Sequence, residues 1–487
     1  MASFSPYEET TRRRAKRQPA GNFTPPRPYR LSAYVQGCKA RRPHGARLQS
    51  GTIQEGLMKV VAFLPVKGSS SRIENKNTAL LDGKPLFLHT LEKLLDCGFL
   101  DEVYLDSESE QIIAMADHLP CRVLRRDPAL ASNSTDGNRL FLNEVEQVEA
   151  DVYVQILCTS PFIAPETIRA GIEAVRSGKG DSAVLISREK QYRWDDKGPL
   201  YDVAHIPNSA DLPDSLVETM GLYVVAREAA LATRRRIGDT PVLLTAEPLE
   251  AVDVNWPADF ELANLIAAGK REKDRILLNN IGNQLSSCML SDILDDMGVS
   301  QVIVGLKPNF GGARVFGRAK TLRIRALREG EDYRGIYDTL GSYRTIVPND
   351  VIVVENEISD FAYFGELNAN LAIRAGASGA IIGGMTRDSA DVAKLGFPVF
   401  SQGSRCRDVR RRGTVDSMNK PVSICGLTVR PGDLVYADGE GVVVIPRALE
   451  AEVLDRAFRA ALKEKSVLLE TASGIDVGQL VARNGEF

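Results

Sequence analysis

The chain of 487 residues is poor in the residues that several classes of protein require. It has four histidines, the last of them His205, and seven scattered cysteines without any CxxC pair. We therefore expect no His-rich zinc chemistry in the second half, no disulfide framework, and a reducing, cytoplasmic setting. No apolar run approaches the roughly 20 residues that cross a bilayer, so we expect no membrane span.

The net charge is also small, because 61 Lys and Arg face 64 Asp and Glu. Residues 1–57 carry 11 basic and 3 acidic side chains, which leaves 50 basic and 61 acidic side chains for residues 58–487. A body this acidic is a poor electrostatic match for nucleic acid, so we expect no such partner. The basic residues 1–57 have no apolar periodicity to bury. They are expected to be a disordered extension, with the folded part opening at Met58.

Hydrophobic patterning predicts two unlike α/β domains, residues 58–272 and 273–487, separated at the charged stretch 270–275. In the first domain, strands alternate with helices, which is typical of a doubly wound, mostly parallel sheet with helices on both faces. The predicted strands are 58–65, 103–106, 152–157 and 183–186, and the predicted helices are 84–96, 107–117 (opened by Ser107), 165–177 and 257–269.

The second domain is richer in glycine and in short strands, predicted at 302–305, 351–354, 379–384 and 442–446. A terminal helix is expected at 447–470. Leu454, Phe458, Leu462 and Leu468 would lie along one of its faces.

A loop of small residues follows the first strand and is a candidate phosphate site. Such a loop exposes backbone N–H groups, and Lys67, Arg72 and Lys76 add three positive charges. It is not a P-loop, because no Lys-Ser/Thr follows a GxxxxG frame. A solvated basic turn is the alternative interpretation.

The first domain resembles the CMP-sialic acid synthetase family of cytidylyltransferases over residues 58–265. The resemblance begins in this loop and continues in order through Gly83-Lys84-Pro85-Leu86, Asp101 to Glu108, Thr159-Ser160-Pro161-Phe162, Glu218 to Tyr223 and Glu250 to Asn255. It implies a nucleotidyltransferase-like fold and CTP-dependent transfer of CMP to a sugar acid of the nonulosonic type, with release of diphosphate. A phosphonate acceptor is the alternative, because phosphonate cytidylyltransferases resemble the same family.

The resemblance also implies roles for individual residues. CTP phosphates would bind Lys67, Ser70, Arg72 and Lys76, of which Arg72 and Lys76 would also be catalytic, and Gln155 and Ser160 would bind substrate. Mg²⁺ would bind Asp253 and Asn255. Three positions depart from the family pattern: Lys67 replaces Arg, Ser71 replaces Lys, and Asn255 replaces the second Asp of the metal motif. An alternative role for Asp253 is to cap the helix that starts near Pro257.

The second domain resembles the RraA-like family, which includes 4-hydroxy-4-methyl-2-oxoglutarate aldolases and a non-enzymatic inhibitor of ribonuclease E. The matching stretches are Ser291 to Leu294, Gly317 to Thr321, Gly365-Glu366-Leu367, Gly383 to Asp388 and Pro431 to Val442. The resemblance implies a metal-dependent aldolase or decarboxylase acting on 4-hydroxy-2-oxo acids. Asp388 would bind Mg²⁺ or Mn²⁺ with Glu366 contributing through water, and Arg387 would be catalytic and bind the 2-oxo acid. Glu464 would act across a subunit boundary, so a homo-oligomer is expected.

Three alternatives stay open for this half. Arg387 and Asp388 are also the residues of an ordinary surface ion pair. Lys320 and Lys394 are the lysines nearest the motifs for Schiff-base chemistry. The whole domain would, in the third alternative, be a regulatory or binding module without catalysis.

Overall fold

The structure, a computed structural model, describes residues 58–132 and 134–485. The extension predicted at residues 1–57 lies outside the described residues. Among the helices of the described ranges, none combines the length and the apolar composition that a bilayer crossing demands.

A seven-stranded sheet forms the centre of the first domain, in the order β11-β7-β10-β6-β1-β4-β5. Only β10 is antiparallel to its neighbours. Four short strands of this domain lie outside the sheet, as the pairs β2–β3 and β8–β9. The strands of the domain are β1 (Val60–Pro65), β2 (Leu80–Leu81), β3 (Lys84–Pro85), β4 (Glu102–Ser107), β5 (Arg122–Arg125), β6 (Val152–Ile156), β7 (Ser182–Glu189), β8 (Trp194–Asp195), β9 (Gly198–Pro199), β10 (Ser215–Ala226) and β11 (Pro241–Thr245).

Helices cover both faces of this sheet, as the alternation predicted. Val60, Ala62 and Leu64 of β1 pack into one apolar cluster and Val61 and Phe63 into another, so both faces of the strand are buried. The helices are α1 (Leu86–Asp96), α2 (Glu110–Ala116), α3 (Gly137–Gln147), α4 (Pro165–Arg176), α5 (Arg227–Thr233) and α6 (Pro257–Gly282). The doubly wound, mostly parallel fold class is confirmed.

The second domain is built on a nine-stranded mixed sheet, in which β14, β15, β16 and β17 are parallel and β21 and β22 extend it antiparallel. Strands β19 and β20 form a separate pair outside this sheet. The strands of the second domain are β12 (Val302–Ile303), β13 (Lys307–Pro308), β14 (Val315–Ala326), β15 (Asp350–Asn356), β16 (Gly379–Thr386), β17 (Val399–Ser404), β18 (Gly413–Met418), β19 (Val422–Ile424), β20 (Leu427–Val429), β21 (Leu434–Ala437) and β22 (Val442–Ile445). Its helices are α7 (Ser287–Asp296), α8 (Glu366–Ala375), α9 (Ser389–Lys394), α10 (Glu450–Ala472) and α11 (Val477–Asn484).

Helix α6 continues through the predicted domain boundary. The prediction that this helix ends at 269 is wrong, because the charged stretch 270–275 consists of residues that tolerate a helix well and contains the i,i+3 pair Glu272–Arg275. Ala263 packs in an apolar cluster of the first domain, and Leu278 packs in a cluster of the second. The two domains therefore share one helix.

Direct contacts also join the domains beside this helix. The β2–β3 turn at Gly83, which has φ of +77°, is so close to the second domain that a Cβ there would lie 2.4 Å from Thr345 O. The Lys320 ammonium donates to Gly83 O over 3.4 Å, and Lys420 pairs with Asp117 at 2.7 Å. The turn thus requires glycine for both its backbone angle and its close approach.

Two local predictions need correction. The N-cap of α2 is Ser109, whose hydroxyl accepts from Ile112 N, and Ser107 instead ends β4. On α10, the residues packed against the core are Val453, Ala457 and Ala461. The predicted apolar face turns largely to solvent, with Leu454 partly buried and Phe458, Leu462 and Leu468 each more than a third exposed.

Candidate functional site

The small-residue loop leaves the carboxyl end of β1 and leads into a short 3₁₀ helix that starts at Lys76. Gly68 holds the loop close to the adjacent strand end, because its N–H donates to Glu108 Oε1 at 2.6 Å. A Cβ at Gly68 would lie 2.8 Å from Ser109 Cβ, so this position has no room for a side chain. The loop is therefore fixed at the edge where the central strands end.

Lys76 lies beneath this loop and is only 6% exposed. Its ammonium donates to Val254 O at 2.9 Å. Burial lowers the pKa of Lys76, and the charges of Arg72 and Lys67 lower it further, while Cys158 and Asp253 act in the opposite direction. Lys76 is therefore close enough to Lys67, Arg72 and Asp253 to interact electrostatically with each of them, and the binding roles of these residues stay predictions.

The other loop residues lie nearer to solvent. Ser70 and Arg72 are on the outer side of the loop, and the Arg72 guanidinium sits 5.6 Å from the ring centroid of Trp256. Stacking on an aromatic ring orients a guanidinium and leaves its N–H groups free to bind an anion.

The candidate metal ligands lie just before α6. Asp253 Oδ1 is buried and has no hydrogen-bond partner in the described part of the chain, whereas Oδ2 accepts from Asn255 Nδ2. A buried orphan carboxylate oxygen fits a cation ligand, because leaving it without a partner is costly. Asn255 acts here as a donor to Asp253, and its amide would have to turn over to present its oxygen to the same ion.

Asp253 does not cap the following helix. Asp259 takes that role, since its Oδ2 accepts from the backbone N–H groups of Asn255 and Trp256 at 3.0 and 2.8 Å. The alternative role for Asp253 is therefore wrong.

Gln155 and Ser160, predicted to bind substrate, also carry orphan atoms. Gln155 lies on β6 with its Nε2 donating to Glu144 Oε2 at 2.6 Å, and its Oε1 has no partner. Ser160 is completely buried in the turn after β6, and its hydroxyl also lacks a partner. Their roles in binding remain predictions.

A buried charged network behind these residues was missed by the sequence analysis. The Arg126 guanidinium donates to both Asp106 carboxylate oxygens, at 3.0 and 2.9 Å. Burial raises the pKa of Glu144 well above its usual range, and the neighbouring Asp106 raises it further. The available signal was Asp106 at the end of β4, which the sequence analysis treated only as part of a strand.

A second cluster, also missed, is centred on Tyr223 of β10. The Tyr223 hydroxyl donates to Glu218 Oε1 and, over 3.4 Å, to Met220 Sδ. The Arg236 guanidinium lies 4.0 Å from the centroid of the Tyr223 ring. Burial and the hydrogen bond to Glu218 raise the pKa of Tyr223, Asp253 raises it further, and Arg236 lowers it. Tyr223 also pairs in register with Gln155 of β6, so this cluster lies beside a predicted substrate residue.

In the second domain, Arg387 and Asp388 follow β16 and face the N-terminus of α8. Asp388 Oδ2 accepts from the Glu366 backbone N–H at 3.3 Å and lies 3.5 Å from Arg387 Nε. Arg387 Nη1 also pairs with Asp408 at 3.0 Å. A Cβ at Gly365 would lie 2.6 Å from Asp388 Oδ2, so this carboxylate closely approaches the backbone at Gly365. The structure thus brings the predicted residues Glu366, Arg387 and Asp388 together.

This second site is open to solvent, with the side chains of Arg387 and Asp388 each 42% exposed. Within the described ranges, no group of three or more His, Cys, Asp or Glu side chains is arranged to hold a metal ion. Asp388 offers a carboxylate at this place, and Mg²⁺ is often bound through one or two carboxylates and several waters.

The remaining candidates of the second domain lie elsewhere. Lys320 is at the contact with the first domain, 3.9 Å from Asp350, and Lys394 pairs with Asp391 at the surface. Glu464 is on an exposed part of α10. These positions leave Arg387 as the cation of the Asp388 site.

Comparison with known proteins assigns each half separately. Residues 61–248 match the family model described as cytidylyltransferase, and residues 287–444 match that described as aldolase/RraA. CMP-N,N'-diacetyllegionaminic acid synthase of Legionella pneumophila is 33% identical over 136 residues, which are 27% of this chain and 58% of that protein. A putative 4-hydroxy-4-methyl-2-oxoglutarate aldolase of Halalkalibacterium halodurans is 30% identical over 169 residues, 34% of this chain and 76% of that protein.

Protein DlpA of Legionella pneumophila is 29% identical over 205 residues, 41% of this chain, and the chain spans only about a third (33%) of its length. The aldolase relative, in contrast, is matched over most of its length, and the family model covers most of the second domain. The chain therefore belongs, through its second domain, to the RraA-like family, and joins that domain to one that matches the cytidylyltransferases.

Proposed function

We propose that the first domain transfers CMP from CTP to a sugar acid of the nonulosonic type and releases diphosphate. One observation carries the proposal: the buried Lys76 ammonium donates to Val254 O, next to Asp253, whose buried Oδ1 has no hydrogen-bond partner among the described residues. The loop before Lys76 also carries the cations Lys67 and Arg72. A triphosphate needs such cations, and its α-phosphate must lose charge repulsion toward an incoming oxygen. The match of residues 61–248 to cytidylyltransferases supports the same chemistry.

In the proposed reaction, an acceptor oxygen attacks the α-phosphorus of CTP. The new bond joins the acceptor oxygen to phosphorus, the bond to the bridging oxygen breaks, diphosphate leaves, and the proton of a hydroxyl acceptor passes to solvent. Lys67, Arg72 and Lys76 would bind the phosphates, and Asp253 with Asn255 would hold Mg²⁺, which would supply charge neutralisation at the α-phosphate.

We propose for the second domain the cleavage or decarboxylation of 4-hydroxy-2-oxo acids. Arg387 would bind the substrate carboxylate or 2-oxo group through its forked N–H groups, and Asp388 and Glu366 would hold Mg²⁺ or Mn²⁺. The ion would stabilise the enolate of the 2-oxo acid. Open-chain nonulosonic acids are themselves 4-hydroxy-2-oxo acids, so both domains would act on one class of compound.

The binding-module alternative has an observation of its own in favour. Arg387 is already paired with Asp408, and both Arg387 and Asp388 are substantially exposed, so the charges of this site are satisfied without a substrate. A domain with these properties would bind a partner and do no chemistry.

A homo-oligomer is part of the proposal. Phe458, Leu462 and Leu468 form an exposed apolar stripe on α10, the helix that also carries Glu464. Burying such a stripe against a second copy would bring Glu464 to the subunit boundary. Sedimentation analysis of the full chain and of a Leu462→Glu variant tests this assembly, and a monomeric wild-type chain would contradict it.

Diphosphate release from CTP, measured over a panel of sugar acids and phosphonates, tests the first activity. We expect release with at least one sugar acid in the presence of Mg²⁺. Release with phosphonates alone would favour the alternative acceptor, and no release with any acceptor would contradict the proposal.

Pyruvate formation from oxaloacetate and from a nonulosonate, measured with and without Mn²⁺ on dialysed protein, tests the second activity. We expect metal-dependent formation of pyruvate. Its absence under every metal would favour the binding module.

A further inference from the structure

Arg236 is a cation that the proposed reaction has not used. It lies in the segment between α5 and β11, and its guanidinium stacks on the Tyr223 ring at 4.0 Å. Its other side-chain contact is from Nη2 to Met220 Sδ at 3.7 Å, and a thioether is a weak acceptor. The strong donors of Arg236 are therefore held in place but are almost unused.

The two neighbouring arginines, unlike Arg236, form ion pairs. Arg234 pairs with Glu146 at 3.3 Å, and Arg235 pairs with Asp239. Within residues 58–132 and 134–485, no carboxylate oxygen lies within 4.0 Å of Arg236. A stacked guanidinium keeps its N–H edge available for two parallel hydrogen bonds to an oxyanion.

The surroundings of Arg236 also favour an anion. The N-terminus of α3 lies against it, since a Cβ at Gly137 would be 2.6 Å from Arg236 Nη1. This eleven-residue helix directs its positive end to the same place. The acids that face the cluster are already engaged: Glu218 accepts from Tyr223, and Asp136 accepts from the N–H groups of Asn138 and Arg139.

Arg236 is also near the proposed reaction centre. Tyr223 of β10 pairs in register with Gln155 of β6, so the ring on which Arg236 stacks lies on the same face of the sheet as a residue predicted to bind substrate. An acidic acceptor must approach a triphosphate that already occupies Lys67, Arg72 and Lys76. A separate cation would offset the repulsion between these two anions.

We propose that Arg236 determines acceptor specificity by binding, through its forked N–H groups, an oxyanion on the acceptor. The inference rests on the proposed function of the first domain. In a sugar acid this oxyanion is the carboxylate next to the attacking hydroxyl, and in a phosphonate it belongs to the attacking group itself. Lys, a point charge without the fork, would replace Arg236 only in part.

The test compares Arg236→Gln and Arg236→Lys with Arg235→Gln, which removes the same charge from the adjacent, ion-paired residue. Kinetics are measured for a sugar acid, for its methyl ester and for a phosphonate, and thermal unfolding is recorded for each variant. For Arg236→Gln we expect the KM of the acidic acceptor to rise about 10- to 100-fold, with the KM of CTP changed less than about twofold. The preference for acid over ester should largely disappear, Arg236→Lys should retain part of it, and Arg235→Gln should behave as the wild type.

Acceptor binding in the presence of CTP but without metal, followed by calorimetry, separates this inference from the proposed function. Wild-type turnover with an Arg236→Gln variant that keeps its acid preference would overturn the inference alone. Arg236-dependent binding without any turnover would support the inference and overturn the function. A wild type that neither binds nor converts any of these acceptors would overturn both.

Discussion

The two candidate sites differ most in how deeply their charges are buried. In the first domain, Lys76 is 6% exposed and Asp253 has a buried oxygen without a partner. In the second, Arg387 and Asp388 are each 42% exposed and are paired with each other and with Asp408.

Burying an unpaired polar atom costs stability, so a protein that keeps several of them in one place is using them. The orphan atoms of Gln155, Ser160 and Asp253 are of this kind. A solvated ion pair, in contrast, costs and contributes little, and its presence says little about chemistry. Structure therefore supports a reaction in the first domain more strongly than in the second.

The largest expected effect decides whether the second site is catalytic at all. Asp388→Asn should abolish metal-dependent pyruvate formation, because it removes the anionic ligand of the proposed ion. Asp391→Asn, on the neighbouring helix α9, is the matched control and should retain the activity. Full activity of the Asp388→Asn variant would show that Asp388 does not hold the proposed ion.

The corresponding change in the first domain should be large but measurable. Asp253→Asn should lower CTP turnover by about 10³-fold, because metal-ion stabilisation of the α-phosphate is worth several kcal/mol. Asp239→Asn, an exposed acid of the same domain, should leave turnover unchanged. Loss of less than about tenfold at Asp253 would mean that its orphan oxygen serves another purpose.

The domains should also respond differently to acid. His89 is half-buried on α1, and desolvation together with Lys84 lowers its pKa to about 4. In the unfolded chain the pKa of a histidine is about 6.5. Between about pH 6.5 and pH 4, the unfolded chain therefore binds a proton at His89 that the folded domain does not bind. Stability should therefore fall as the pH drops from about 6.5 to 4, by at most about 3 kcal/mol.

Thermal unfolding of the wild type and of His89→Gln over pH 4 to 7 measures this effect, and the variant should lose less stability on acidification. The second domain has no histidine, and burial raises the pKa of its Asp350 to about 6. Because the folded domain then binds a proton at Asp350 more readily than the unfolded chain does, the contribution of Asp350 to stability grows as the pH falls from about 6 toward 4. Equal acid responses of the wild type and the variant would show that His89 is not the cause.

The smallest expected effects rank the cations of the phosphate loop by burial. Lys76→Met should lower kcat/KM for CTP about 100-fold and Arg72→Ala about tenfold, because a charge-assisted contact is stronger away from water. Lys59→Met, at the exposed pair with Glu102, is the control. The reverse order for Lys76 and Arg72 would show that burial does not set their contribution.

The sequence was sufficient for the elements that carry a strong periodic signal. Strand β1 is a continuous apolar run because helices cover both its faces, and the apolar residues at the centres of β4 and β6 give the same signal. The phosphate-binding role of the loop cations was suggested by the family resemblance and stays a prediction.

Contacts between distant segments could not be predicted in this way. Arg236 and Tyr223 meet because β10 is inserted antiparallel between β6 and β7, and the family-matching stretch that contains Tyr223 does not reach Arg236. Arg126, directly after β5, likewise meets Asp106 of the adjacent strand β4 across 20 residues of sequence. On α10, the small residues Ala457 and Ala461 face the core while larger apolar residues face outward, so residue size misled the helix-face prediction.

Because α6 runs without a break from one domain into the other, its length determines how the two domains meet. Each residue of a helix adds 1.5 Å and turns the following residue by about 100°. One residue inserted after Lys273 would therefore rotate everything beyond it and separate Lys420 from Asp117 and Arg447 from Glu92. Two domains joined by a flexible linker tolerate such insertions, whereas here the continuous helix fixes the rotation of one domain about the helix axis relative to the other.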